Sequence, residues 1–244
     1  MRSVLALAAA VVIAAAIPAQ AQPSLEEGRE LFEVHCASCH GPAGVGTRFG
    51  PPLVGVGEAA ADFQLRTGRM PLAQPDAPTL RKPPAFDERQ IELLVAYIGS
   101  LDGGPEIPEL DLVGADLQLG ARLFLDNCAA CHGATANGGA AGGSAFAPSL
   151  DQSLPLDIAE AMITAPGEMP KFAFSDDERD AVVRYVMYLQ EQPSPGGLDI
   201  GGIGPVSEGF VAWALAMVIL VLIVALVATG PGRSKERVLG DEDA

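Results

Sequence analysis

Between residues 24 and 190 the apolar positions recur at helical spacing. Leu25, Gly28, Leu31 and Phe32 each find a match 92 positions later, at Leu117, Gly120, Leu123 and Phe124. A repeat this regular predicts two similar domains. Ser24, with Glu27 three residues on, reads as a capping box that starts the first helix. Glycine inside a helix costs about 1 kcal/mol relative to alanine. Gly28 and Gly120 are therefore expected where another element passes closely. The natural partners are the aromatic-bearing helices that close each repeat. Asp87 and Gln90 cap the first, with Ile91, Leu94, Val95, Tyr97 and Ile98 as its stripe. Ser175 and Glu178 open the second, with Val182, Val183, Tyr185, Val186 and Leu189. Ile158 to Ile163 reads as one more helix. No strand pattern stands out, so the expected fold class is all-α.

The two ends carry longer apolar runs. Val4 to Ile17 is apolar, shorter than the roughly 20 residues a spanning helix needs. With Arg2 before it and Ala19-Gln20-Ala21 after it, residues 1–21 read as a signal peptide, or as an anchor if left uncleaved. Phe210 to Ala228 is almost wholly apolar, and no charged residue occurs from Gly209 to Gly232. Residues 209–230 are thus expected to form a transmembrane helix, with Trp213 near its outer end. Arg233, Lys235 and Arg237 follow and predict a cytoplasmic tail over 231–244. Gly/Pro-rich linkers are expected at 103–114 and 193–208. Each linker follows one of the predicted domains, 22–102 and 115–192.

Composition adds two constraints. Gly and Pro number 28 and 20, while aromatics make up 5%. Domains of about 80 residues bury little apolar surface, so a large apolar cofactor would help complete each core. The formal charge is −16. That disfavours nucleic acid as a partner and suits either a solvated surface or docking to a positively charged protein.

The candidate chemistry is Cys36-Ala37-Ser38-Cys39-His40 and its echo Cys128-Ala129-Ala130-Cys131-His132. Each reads Cys-x-x-Cys-His, the attachment pattern of a c-type haem. The thiols add across the porphyrin vinyl groups, and the histidine becomes the proximal iron ligand. The two copies use all 4 cysteines and two of the 3 histidines. An all-thiolate zinc site or a redox dithiol would explain the cysteines but not a histidine after each pair. The expected cofactors are two covalently attached haem c.

His40 and His132 are then metal ligands. The sixth position suits a thioether, since His/Met ligation raises the potential for electron transfer. Met70 and Met169 are the candidates, because Gly-x-Met-Pro recurs at Gly68 to Pro71 and Gly167 to Pro170. Met162 competes by simple offset from Met70, but sits in the Ile158–Ile163 helix and reads as core. His35 reads as a surface or edge residue.

From Ser24 to about Gln190 the chain resembles two class I cytochrome c domains. The order is helix, Cys-x-x-Cys-His, Gly/Pro loop, Pro-x-Leu, Met-Pro loop, helix. The resemblance implies that Pro51 and Pro148 offer their carbonyl oxygens to His40 and His132. Leu53 to Ala60, Thr67 to Pro71, Gly167 to Lys171 and the Pro195-Gly196-Gly197 stretch running into Gly201 to Pro205 make it more specific. With these the chain resembles the dihaem cytochrome c subunits of actinobacterial cytochrome bcc complexes, which oxidise quinol. That family implies a subunit of a quinol–cytochrome c reductase whose own role is electron carriage. Its partners would be the cytochrome b subunit, the Rieske iron–sulfur subunit and the terminal cytochrome c oxidase. Its haem domains would lie outside the plasma membrane on a single-pass anchor. Rival readings are a dihaem subunit of a cytochrome oxidase, a subunit of a membrane dehydrogenase, and a dihaem peroxidase. A methionine in each domain argues against the last.

Overall fold

The structure is a computed structural model that describes residues 24–143, 145–192 and 205–229. The signal-peptide segment 1–21, the linker residues 193–204 and the basic tail lie outside the described residues. The described residues are mostly helical, as expected. They group into two compact units. One holds the residues up to Glu109 together with Glu160–Phe172; the other holds Leu110–Ala159 together with the residues from Ala173 on.

In the first unit, α1 (Leu25–His35) packs against α4 (Glu88–Gly99), and α3 (Gly57–Arg66) packs on α4 as well. Phe32, Ile91, Leu94 and Ile98 form the buried centre. Gly28 lies at the crossing: a Cβ there would stand 2.3 Å from the Leu93 carbonyl oxygen and 2.9 Å from Tyr97 Cβ. The Phe32 and Tyr97 rings meet at 5.3 Å. The starts of α1 and α4 are each fixed by a side chain. Asp87 and Gln90 make a complete capping box. Ser24 makes only the forward bond, accepting from the Glu27 N–H, because Arg29 and Arg89 hold the carboxylates of the first turn.

Helix α3 has no counterpart in the hydrophobic pattern. Its buried face is Gly57, Ala59, Ala61, Asp62, Phe63 and Leu65, too many small residues to read as a stripe. Asp62 is 1% exposed. It accepts from Arg66 Nε at 2.7 Å, and Arg66 also reaches Glu88 on α4 at 2.6 Å. That pairing offsets the cost of the buried carboxylate. The expected linker is not loose at its start: Ala59 N–H donates to the Pro105 carbonyl, and Ile107 packs on the core.

The second unit repeats the scheme. α5 (Leu117–Asn127) crosses α8 (Asp176–Glu191). A Cβ on Gly120 would stand 1.9 Å from the Ala181 carbonyl oxygen. Phe124 and Tyr185 meet at 5.6 Å, and Val182, Val183 and Val186 are buried. Asp116 and the Ser175–Glu178 capping box start the helices. α7 spans Pro155–Thr164, longer than the predicted helix, and its residues from Glu160 on group with the first unit. The expectation of no strands is corrected by a hairpin, β1 (Gly139–Gly142) with β2 (Ala145–Ala147). Its residues are mostly glycine and alanine, which carry almost no alternation to read. Loop closure, not side-chain pattern, pairs them.

Last comes α9 (Pro205–Thr229). Its segment Gly209–Thr229 is long and apolar enough to cross a membrane, with a mean hydropathy of 3.1 and no part buried.

Candidate functional site

Each Cys-x-x-Cys-His motif begins where a long helix ends. Cys36 closes α1, and a single turn, α2 (Ala37–His40), follows. The N–H groups of Cys39 and His40 both donate to the Cys36 carbonyl, at 3.1 and 2.9 Å. Cys128 and α6 (Ala129–His132) repeat this, with 3.1 and 2.9 Å from Cys131 and His132. Residues three and four apart on a turn share a side, so the two thiols and the imidazole of each motif are grouped. All four cysteines are free thiols. Burial, with the second cysteine of the pair adding, pushes the Cys36 and Cys128 thiols up to about 11.

The histidines are held from behind. His40 Nδ1 lies 2.9 Å from the Pro51 carbonyl oxygen, and His132 Nδ1 lies 3.0 Å from that of Pro148. A carbonyl only accepts, so Nδ1 is the donor in each pair. The lone pair is then on Nε2, the atom left for a metal. Burial lowers the pKa of His132, and its bond to Pro148 opposes that. The result is a neutral ring, the form that ligates.

The loops that bring the prolines into place follow one plan. The His40 carbonyl accepts from Gly46 N–H at 2.6 Å, and the His132 carbonyl from Gly138 N–H at 2.8 Å. Gly44 and Ala136 then turn through left-handed backbone, and their carbonyls accept from Leu53 and Leu150. Two residues escaped the sequence reading. Gly50 lies edge-on to the ligand ring, where a Cβ would stand 3.1 Å from His40 Cε1. Thr47 donates its hydroxyl to the Cys39 carbonyl. Their only sequence signal is position within the loop.

The methionines differ in setting. Met70 is half-buried and packs on the same core as Cys36, Ala37 and Leu53. Its N–H donates to the Gln64 carbonyl at 3.0 Å, which ties the Met-Pro loop to α3. Thus Cys36, His40, Pro51 and Met70 all belong to the first unit. Met162 is 2% exposed on α7. Met169 is half-buried in the loop after α7, its N–H donating to the Pro166 carbonyl at 3.2 Å. Both lie on Glu160–Phe172, the segment that groups with the first unit, whereas Cys128, Cys131, His132 and Pro148 lie in the second. His35 is exposed and meets Phe86 edge-on at 5.3 Å.

A c-type haem fits these residues. Each motif offers two unpaired thiols and an imidazole whose tautomer leaves Nε2 free, as covalent attachment and axial ligation require.

Residues 25–102 match the family described as Cytochrome c, and residues 115–186 match Cytochrome C oxidase, cbb3-type, subunit III. Fold and motifs therefore define a tandem cytochrome c, an electron-transfer protein with one apolar helix after its second domain. The relatives are narrower. The cytochrome bc1 complex cytochrome c subunit of Corynebacterium diphtheriae is 38% identical over 222 residues, covering 82% of this chain and 79% of that protein. Its counterpart in Mycobacterium tuberculosis is 41% identical over 206 residues, covering 80% and 74%. The cbb3-type cytochrome c oxidase subunit FixP of Rhizobium meliloti is 34% identical over 131 residues, covering 50% and 43%. The chain belongs to the family of cytochrome bc1 complex cytochrome c subunits.

Proposed function

We propose that this chain binds two haem c groups and carries electrons within a quinol-oxidising cytochrome bc1-type complex. It would receive them from a Rieske iron–sulfur subunit, beside a cytochrome b subunit, and pass them to the terminal cytochrome c oxidase. The observation that carries the reading is the repeated bond from His Nδ1–H to a proline carbonyl behind each Cys-x-x-Cys-His motif. Bound haem iron supplies one-electron chemistry. The chain's own residues anchor, orient and tune it.

Cys36 and Cys39 hold one group and Cys128 and Cys131 the other. His40 and His132 would ligate through Nε2, with the Pro51 and Pro148 carbonyls keeping each ring oriented and its basicity raised. Met70 and Met169 would supply thioether ligands. Met162 is more deeply buried than Met169 and belongs to a regular helix, which supports its role as core. Residues 22–102 and 115–192 make the two domains. The apolar helix from Gly209 anchors them outside the plasma membrane, with the tail in the cytoplasm.

The test is optical. The full chain, tagged at its C-terminus, is extracted from its own membranes in mild detergent. Reduced-minus-oxidised spectra are recorded with quinol as the sole donor and cyanide present. Co-purifying b-type haem and quinol-reduced c haems are expected. If c haems are present and quinol leaves them oxidised, the proposal fails.

A further inference from the structure

The two loops behind the Cys-x-x-Cys-His motifs run alike to Gly46 and Gly138, and then part. In the first unit four residues, 47–50, lead to Pro51, closed by a lone bridge between Thr47 and Gly50. In the second, nine residues, 139–147, lead to Pro148, and among them β1 pairs with β2. The extra length projects an apolar face. Ala140 pairs with Phe146 in the register, both are exposed, and Phe146 is 74% exposed. At the matching position Phe49 is 45% exposed, with the Arg48 guanidinium 4.4 Å above its ring.

Charge sets this face apart. Residues 115–192 carry eleven acidic and four basic side chains, yet residues 127–150 carry none of either. Asp126 and Asp151, both exposed, bound the neutral stretch at its two ends. An uncharged apolar stretch within an acidic domain suits a protein whose own apolar patch is ringed by Lys and Arg. The hairpin is continuous with the motif: Gly138 bonds the His132 carbonyl, and β1 packs on α6. A surface there is where a redox partner must come close.

We propose that the β1–β2 hairpin, through Phe146 and Ala140, is the docking element by which the second cytochrome c domain receives its redox protein partner, a surface with an apolar centre and a cationic rim. This rests on the function proposed above and deepens it.

The test uses the full haem-loaded chain in its own membranes, with quinol as donor and oxygen as acceptor. Two rates are followed: c-haem reduction by quinol and c-haem reoxidation by oxygen. Phe146→Ala should slow one of them on the order of 30-fold, the scale of an interface hot spot. Haem content and both midpoint potentials should stay as in the parent, and Phe146→Leu should restore most of the rate. Ala140→Lys, which places a cation against a cationic rim, should slow the same step. Wild-type rates in both Phe146→Ala and Ala140→Lys overturn the proposal. So does a slowing that appears only with lost haem or a shifted potential, since the hairpin is then structural. A parent chain that quinol leaves oxidised overturns the functional reading itself, and this inference with it.

Discussion

The Nδ1 of His40 lies 2.9 Å from the carbonyl oxygen of Pro51, and Gly50, one residue earlier, lies against the edge of the same ring. One short loop therefore sets both the tautomer and the tilt of the imidazole. Ala147 is the residue before Pro148 in the second unit, so a methyl group is accommodated at that place in the loop. Gly50→Ala is expected to keep both haems. Gly50→Leu has no room and should push His40 off Pro51. The haem content measured as the pyridine haemochrome then falls from two per chain to one.

The sixth ligands have a spectroscopic signature. Met70→Ala and Met169→Ala should each remove a Met–iron charge-transfer band near the red end of the oxidised spectrum. Met162→Ala should leave both bands and lower stability by roughly 2–5 kcal/mol, the cost of truncating a buried methionine. Loss of the second band in Met162→Ala instead would reassign that ligand.

The helix crossings leave no space for a side chain. A Cβ on Gly120 would stand 1.9 Å from a backbone oxygen that cannot move without α8. Gly120→Ala should destabilise the second unit by about 1–3 kcal/mol, and Gly28→Ala the first by a similar amount. A melting curve of the intact chain should show a lowered transition of several degrees, on the order of 4–8 °C per kcal/mol for a unit of this size. The helix propensity of alanine alone predicts the opposite sign.

Thiol reactivity tests the motif before haem is attached. Burial raises Cys36 and Cys128 to about 11. A raised thiol pKa keeps the group protonated, and the thiolate is the reacting form. In the haem-free chain at pH 7–8, both should alkylate on the order of 100-fold more slowly than an ordinary cysteine, and speed up as pH approaches 11. Mass-spectrometric quantification of iodoacetamide labelling against pH reads this directly. Rapid labelling at pH 7 would contradict the buried setting.

Much of this protein is written locally. Cys-x-x-Cys-His specifies its chemistry in five residues. The capping boxes at Asp87 and Ser175 start helices through contacts three residues long. The apolar run from Phe210 to Ala228 needs no neighbour to be recognised. Gly28 and Gly120 signalled their crossings because a helical glycine is costly unless something occupies the vacant space.

What the tertiary structure decided depends on residues far apart in sequence, or on side chains too small to leave a pattern. Helix α3 forms from small residues whose burial comes from α4, and its Asp62 is sustained by Arg66 with Glu88 beyond it. The hairpin strands are mostly glycine and alanine, so only loop closure between Gly138 and Pro148 pairs them. Gly50 and Thr47 matter through what they touch, not through what they are. The half-exposure of Met169 is likewise a property of packing. Local bonds can be read along a chain, because the partners sit within a turn of one another. Burial and close approach cannot, because they are set by whichever segment the fold brings alongside.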